Sequence, residues 1–240
     1  MSDYQEYYIT RKPSNPGMRA MAFWHRRMLK IAERHIPNLL SKTVLEIGPG
    51  HGLFAEACQQ KQLAYFGLEM NVEQARALQL AGHKVSSATI PPIPAGEPVQ
   101  MIWLSHVLEH AGTYHEAKLM LQACHDRLDN NGLVIIIAPD INHWREEFWS
   151  VDWSHGFPTS LNRVEQLLSE TGFSVAQSMH HTFTLTNTFL AWLLSWLFRL
   201  GLPVNLLDYF FKKWTGRQFA HAFMSVFGLR QIYVIGEKHA

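Results

Sequence analysis

Apolar positions along the chain alternate between two spacings. Met21, Trp24, Met28 and Ile31 recur every three or four residues, which predicts a helix over Met18–His35 that Pro37 ends. A β-type run over Thr43–Ile47 then meets three glycines. Beyond it the pattern predicts a helix over Leu53–Lys61, a strand over Ala64–Leu68, a helix over Val72–Ala81 and a short strand over Lys84–Ser86. Pro91, Pro92, Pro94 and Pro98 mark a loop that no helix crosses. A strand over Val99–Leu104 and a helix over Tyr114–Leu128 follow. Asn130-Asn131-Gly132 reads as a tight turn into Leu133–Ala138, a continuous apolar run suited to a strand buried on both faces. Thr159 or Ser160 caps the next helix, Gly172 ends it, and strands are expected over Ser174–His181 and Gln231–Gly236.

Strands that alternate with helices make an α/β fold: a Rossmann-like, seven-stranded, mostly parallel sheet flanked by helices, with an apolar helical insertion before the last strand. The expected division is a tail over 1–17, a core over 18–181, the insertion over 182–229 and the last strand over 230–240. Such sheets bind ligands outside the carboxyl ends of their strands, near the switch in strand order. Chemistry is therefore expected in the loops 48–52, 69–71, 87–95, 105–112 and 139–158.

Composition narrows this only slightly. An apolar fraction of 47% against 17% charged residues describes a chain that folds around a core. The formal charge of +1 gives no overall attraction for nucleic acid, and none is expected as partner. Cys58 and Cys124 form no metal spacing or disulfide framework, and the polar, acidic start Met1-Ser-Asp-Tyr-Gln-Glu is no secretory signal. Both point to the cytoplasm.

Gly48, Gly50 and Gly52 follow a strand and open a helix, so backbone can approach a ligand there without a Cβ between. Their spacing is G-x-G-x-G. The dinucleotide fingerprint wants a third small residue at 53, where this chain has Leu53. Glu46 sits just before the loop, a poor neighbour for pyrophosphate but a good one for a cation. Glu69 ends the second strand, where a carboxylate can accept from both ribose hydroxyls of an adenosine ligand.

With these residues the chain resembles the class I S-adenosylmethionine-dependent methyltransferases, of the bacterial small-molecule and lipid group. The resemblance covers roughly residues 40–180 and returns at the last strand. It implies S-adenosylmethionine as cofactor, with Glu46, Gly48, Gly50 and Gly52 at its amino-acid part, Glu69 at the ribose and Met70 on the adenine. The family often carries an acid near position 87; here Ser86-Ser87-Ala88 stands, which leaves Ser87 and Ala88 to contact adenine through backbone. Gln100 replaces a usual acid at the start of the fourth strand.

Ser105-His106-Val107-Leu108-Glu109-His110 matches a family segment of the form H-V-L-E-H beside the cofactor. Taken alone, His106-x-x-Glu109-His110 also fits an inverted zinc-peptidase pattern. That reading needs one long helix and a further carboxylate, whereas the motif starts at a strand end and meets Gly112. No metal is expected. Ser105 is assigned to cofactor contact and His106 to catalysis, while Glu109 and His110 are left between structural and functional roles. Asp152-Trp-Ser-His155-Gly-Phe-Pro resembles a family loop over the active site, which makes His155 the second catalytic candidate. Methyl transfer from a sulfonium needs alignment more than a nucleophilic side chain, and a histidine base helps when the acceptor is a hydroxyl or amine.

The insertion is apolar all round at Phe189–Phe198, too short to span a bilayer. Arg199, Lys212, Lys213 and Arg217 against Asp208 leave +3 over residues 183–227. The segment suits a lid over an acceptor pocket, peripheral membrane contact through 185–215, or a homodimer interface. The expected function is methyl transfer to a small or lipid-like acceptor. A non-catalytic binding module and an NAD-dependent oxidoreductase are the alternatives.

Overall fold

The computed structural model of the chain describes residues 15–182, 209, 210, 213 and 230–239. Its strands are β1 (Thr43–Ile47), β2 (Ala64–Glu69), β3 (Val85–Ser87), β4 (Val99–Ser105), β5 (Leu128–Pro139), β6 (Phe173–His181) and β7 (Gln231–Lys238). They form one sheet in the order β3-β2-β1-β4-β5-β7-β6. The first five pair in parallel, and β7 runs antiparallel between β5 and β6. Helix α1 (Asn15–Ala32) precedes β1. Helices α2 (Leu53–Gln60), α3 (Val72–Leu80) and α4 (Tyr114–Arg127) connect parallel strands. Two single-turn helices, α5 (Ile141–Trp144) and α6 (Glu147–Ser150), follow β5, and α7 (Leu161–Glu170) leads into β6.

The two-residue period of the strands sorts their side chains into two cores. Leu45, Ile102, Leu104, Val134, Ile136 and Val234 face α4 and α7. Val44, Met101, Trp103, Ile135, Ile137 and Tyr233 face α1 and α2. Helices thus cover both faces, which is why Leu133–Ala138 is apolar at every position. On the second face Trp103 stacks on Phe54 with centroids 4.1 Å apart and planes 11° apart. Trp103→Ala is expected to cost roughly 3–5 kcal/mol in urea unfolding. Trp103→Phe is expected to cost under about 1.5 kcal/mol, because the ring contact survives and an indole N–H with no partner among the described residues disappears.

Order reverses at β1, whose neighbours are β2 on one side and β4 on the other. The loops after β1 and β4 therefore diverge and leave a crevice between them.

Local capping agrees with the sequence. The Asn71, Thr113 and Ser160 side chains accept from backbone N–H groups in the first turns of α3, α4 and α7. Ser160 is thus the cap of α7, while Thr159 Oγ1 donates to Pro139 O at 2.6 Å. One expectation changes. Asn130-Asn131-Gly132 is not a turn between elements but an irregular stretch inside β5. Val99 pairs with Leu128 and Met101 with Leu133, so β5 carries extra residues against β4, and Asn131 absorbs the bend at φ 60°. Gln100 explains itself here: its Oε1 accepts from Thr43 N at 2.8 Å and its Nε2 donates to Asp129 Oδ2 at 3.3 Å. An acid could not donate to Asp129.

The insertion expected over 182–229 lies outside the described residues, apart from Thr182 at its edge and Tyr209, Phe210 and Lys213, which are exposed and helical. Among the described residues no helix is long and apolar enough to cross a membrane.

Candidate functional site

The crevice at the strand-order reversal opens into a cavity of about 690 Å³. Its first wall is the glycine loop. Gly48 (φ +68°) turns the chain out of β1, and a Cβ there would lie 2.8 Å from Val107 Cγ2, so only glycine lets the two loops meet. Gly50 donates its N–H to Glu69 Oε2 at 3.2 Å, and Asn71 donates to Glu69 Oε1 at 2.9 Å. One carboxylate thereby fastens the loop after β1 to the loop after β2. Burial raises the Glu69 pKa, with the backbone N–H groups of Asn71, Gly50 and Met70 pulling the other way.

Glu46 points to the side covered by α1 and α2. It is buried, and Tyr65 donates its hydroxyl to Glu46 Oε2 at 2.6 Å. Burial pushes its pKa up to about 8; the Tyr65 bond lowers it and the neighbouring Glu69 charge raises it further.

The facing wall comes from the loop after β4. His106 sits at φ 57°, unusual for a residue with a Cβ, and its N–H donates to Ile137 O at 2.8 Å. This reversal sets the His106 Nδ1 3.1 Å from Oε1 of Glu109, a carboxylate that is fully buried. Burial alone would raise the Glu109 pKa, but the hydrogen bond and charge of His106, with the charge of His110, bring it below the usual range.

The roof is the segment after β5. Asp140 is fully buried and holds Arg230 Nη2 at 3.0 Å and His180 Nε2 at 3.2 Å. Asp140 also caps α5, while Trp144 Nε1 donates to Arg230 O at 2.8 Å. This anchors Trp144 over the cavity. Further on, Gly156 and Phe157 donate their N–H groups to Glu109 O at 2.9 and 3.1 Å. A Cβ on Gly156 would strike Ala111 O at 2.5 Å, so glycine allows the 152–157 loop to lie directly on the 109–112 loop. His155 reaches the cavity this way, with Nδ1 donating to Phe148 O and its ring 5.0 Å from that of His110.

Of the residues nominated from sequence, Glu46, Gly48, Gly50, Glu69 and Met70 line the cavity on one side. Ala88, Ser105, His106 and His155 line it on others. Gly52 and Ser87 do not line it. Gly52 is buried at the start of α2 (φ +76°), where a Cβ would meet Leu78 Cδ2 at 2.5 Å, so its demand for glycine comes from packing. Ser87 is exposed at the end of β3, and the cavity is reached one residue later, at Ala88. Sequence reasoning did not nominate Met21, Trp24 and His25 of α1, which also line it. The signal available was a histidine inside the apolar stripe of that helix. His25 is buried, burial holds its pKa down to about 3 with the His106 charge adding, and its Nδ1 has no hydrogen-bond partner among the described residues.

Residues 19–178 match the model of a family described as a methyltransferase domain. The chain belongs to that family. A search of curated proteins found no match. Solved structures resemble the methyltransferase in fold. A Haloferax volcanii chain, from the complex of the Trm112 methyltransferase activator with its partner, is 13% identical with TM-score 0.68 and coverage of 100% and 99% of the two chains. An S-adenosylmethionine-dependent methyltransferase from Archaeoglobus fulgidus is 17% identical, with TM-score 0.57 and coverage of 89% and 94%. The cyclopropane synthase MmaA2 of Mycobacterium tuberculosis is 16% identical, with TM-score 0.56 and coverage of 88% and 83%.

Membership of a methyltransferase family implies S-adenosylmethionine as the cofactor. The cavity has the size of a cofactor site. The residues present fit the ligand's chemistry: buried acids at Glu46 and Glu69 for a cation and a ribose, and a glycine loop open to close approach.

Proposed function

We propose that this methyltransferase transfers its methyl group to a hydroxyl or amine of a small or lipid-like acceptor held between His106 and His155. The carrying observation is the His106–Glu109 pair on the cavity wall opposite the glycine loop. A histidine whose Nδ1 donates to a buried carboxylate is oriented as a general base is oriented. Apolar surface from Met21, Trp24, Met120 and Val151 lines the same space and suits an acceptor with a hydrocarbon part.

When bound, S-adenosylmethionine supplies a methyl group already activated on a sulfonium. Glu69 would accept from the ribose hydroxyls, and Met70 and Ala88 would bind the adenine. The Gly48–Gly50 backbone and the Glu46 carboxylate would hold the amino-acid part. The site would align an acceptor lone pair with the methyl carbon, and the carbon–sulfur bonding pair would leave on sulfur. His106 takes the proton that the acceptor loses, and its contact with Glu109 steadies the resulting charge.

Methyl-labelled cofactor with fractionated cell extract tests this. Label is expected in the small-molecule or lipid fraction; label confined to protein or nucleic acid would overturn the acceptor class. His106→Ala is expected to slow transfer by about 10²–10⁴-fold, with affinity for S-adenosylhomocysteine unchanged within about twofold. Unaltered transfer would remove His106 from that role.

A further inference from the structure

Glu109, His110 and His155 each offer one ligand atom, and the three atoms lie within 4.8 Å of one another. We propose that they form a binding site for a divalent transition-metal ion at the acceptor end of the cavity. The inference rests on the acceptor placement proposed above and adds to it the chemistry of the acceptor, an oxygen donor that completes the ion's coordination.

Three observations carry it. The first is the donor set. Two imidazoles and one carboxylate form the three-ligand set that holds iron, manganese or zinc while leaving positions open for a substrate. Ligands about 2.1 Å from a common ion lie no more than roughly 4.2 Å apart, so the triad closes with side-chain adjustments of under about an ångström.

The second observation is the state of the two rings. Ser154 donates its hydroxyl to Asp152 Oδ1 at 2.6 Å, so its oxygen accepts from His110 Nδ1 at 2.7 Å. His155 Nδ1 donates to a carbonyl oxygen, that of Phe148. Both rings are thereby held in the tautomer that carries its lone pair on Nε2, each oriented by a hydrogen bond on its far side. Metal-bound histidines are fixed in this way.

The third is the carboxylate. Glu109 is fully buried and lines the cavity, with Oε1 accepting from His106 while Oε2 has no hydrogen-bond partner among the described residues. A buried carboxylate oxygen left unpaired is costly, and a cation beside it removes that cost. His106 then plays towards Glu109 the part that Ser154 and Phe148 play towards the two rings.

This differs from the peptidase reading of the same motif. His106 and His110 are not on one helix face; His106 leaves the strand at positive φ, and Leu108–His110 is a single 3-10 turn. The third ligand comes from the 152–157 loop, held in place by the contact of Gly156 with Ala111.

An ion here binds an acceptor hydroxyl and lowers its pKa, so the oxygen attacks as alkoxide or phenolate. The balance is unchanged: the oxygen gains the methyl group and loses its proton to His106, and sulfur keeps the bonding pair.

The test titrates chelator-treated full-length protein with MnCl2 by calorimetry and with CoCl2 by visible absorbance. One equivalent per chain is expected to bind each metal. His155→Ala, a loop substitution, is expected to weaken binding by at least about tenfold, with circular dichroism and S-adenosylhomocysteine affinity retained. His110→Ala is expected to act alike. Absence of stoichiometric Mn2+ or Co2+ binding to the wild type overturns the proposal whatever the variants do, as does wild-type affinity in a folded His155→Ala chain. Retained S-adenosylhomocysteine binding in either case sinks the metal site alone. Loss of both would sink the methyltransferase reading beneath it.

Discussion

A Glu69→Ala chain is expected to bind S-adenosylhomocysteine at least about a hundredfold more weakly than the wild type. Two effects combine. The ribose loses a charged acceptor in a buried setting, where such hydrogen bonds contribute most. The glycine loop also loses its fastening, because Glu69 accepts from Gly50 and Asn71 on two different loops. Glu69→Gln keeps the shape and one acceptor oxygen, so its loss is expected to be smaller, roughly tenfold. Calorimetric affinities for the three chains check the order. Equal affinities would place the ribose elsewhere.

The second large effect is a pH dependence centred on Glu46. Its pKa of about 8 leaves it mostly protonated at neutral pH when the cavity is empty. A cationic ligand favours the carboxylate, so binding expels a proton, and affinity for S-adenosylmethionine is expected to rise with pH until about 8. The slope approaches about tenfold per pH unit well below that value. Glu46→Gln is expected to flatten the profile and to weaken binding at pH 8.5 by about tenfold or more. Stability runs the other way. The folded chain holds this proton more tightly than the unfolded one, so the contribution is full below pH 4.5 and is lost as pH rises through about 8. Above pH 8 the glutamine variant should therefore be the more stable chain, by on the order of a few kcal/mol. Tyr65, Glu69 and Cys58 are the described titratable groups that feel the Glu46 charge, and comparing wild type with variant at each pH isolates the Glu46 contribution. A pH-independent affinity in the wild type would contradict the placement of Glu46.

These two acids show what the sequence can carry. Glu46 and Glu69 are tied to strand ends and glycines a few residues away, so spacing alone places them. The strands were equally legible, because period-two and continuous apolar runs follow directly from one- and two-sided burial. Gly52 shows the complementary limit, since it is absent from the cavity lining. It needs to be glycine because of Leu78, a neighbour that no local spacing displays. The contribution of α1 to the cavity was hidden likewise: Trp24 reads as core from its helical spacing, and it is core, yet it also lines the cavity. The two single turns after β5 are too short to leave a period. The association of His155 with Glu109 and His110 depends on a loop lying flat on another loop, which requires Gly156 and becomes visible only in three dimensions.

The loop Gly48–Gly52, with Glu46 before it and Glu69 across from it, is expected to hold a sulfonium nucleoside and not a dinucleotide. Calorimetric titration of the full chain with S-adenosylhomocysteine and, separately, with NAD tests it most directly. Saturable binding of S-adenosylhomocysteine at a single site, with no heat from NAD, is the result predicted. Binding of NAD without S-adenosylhomocysteine would contradict it.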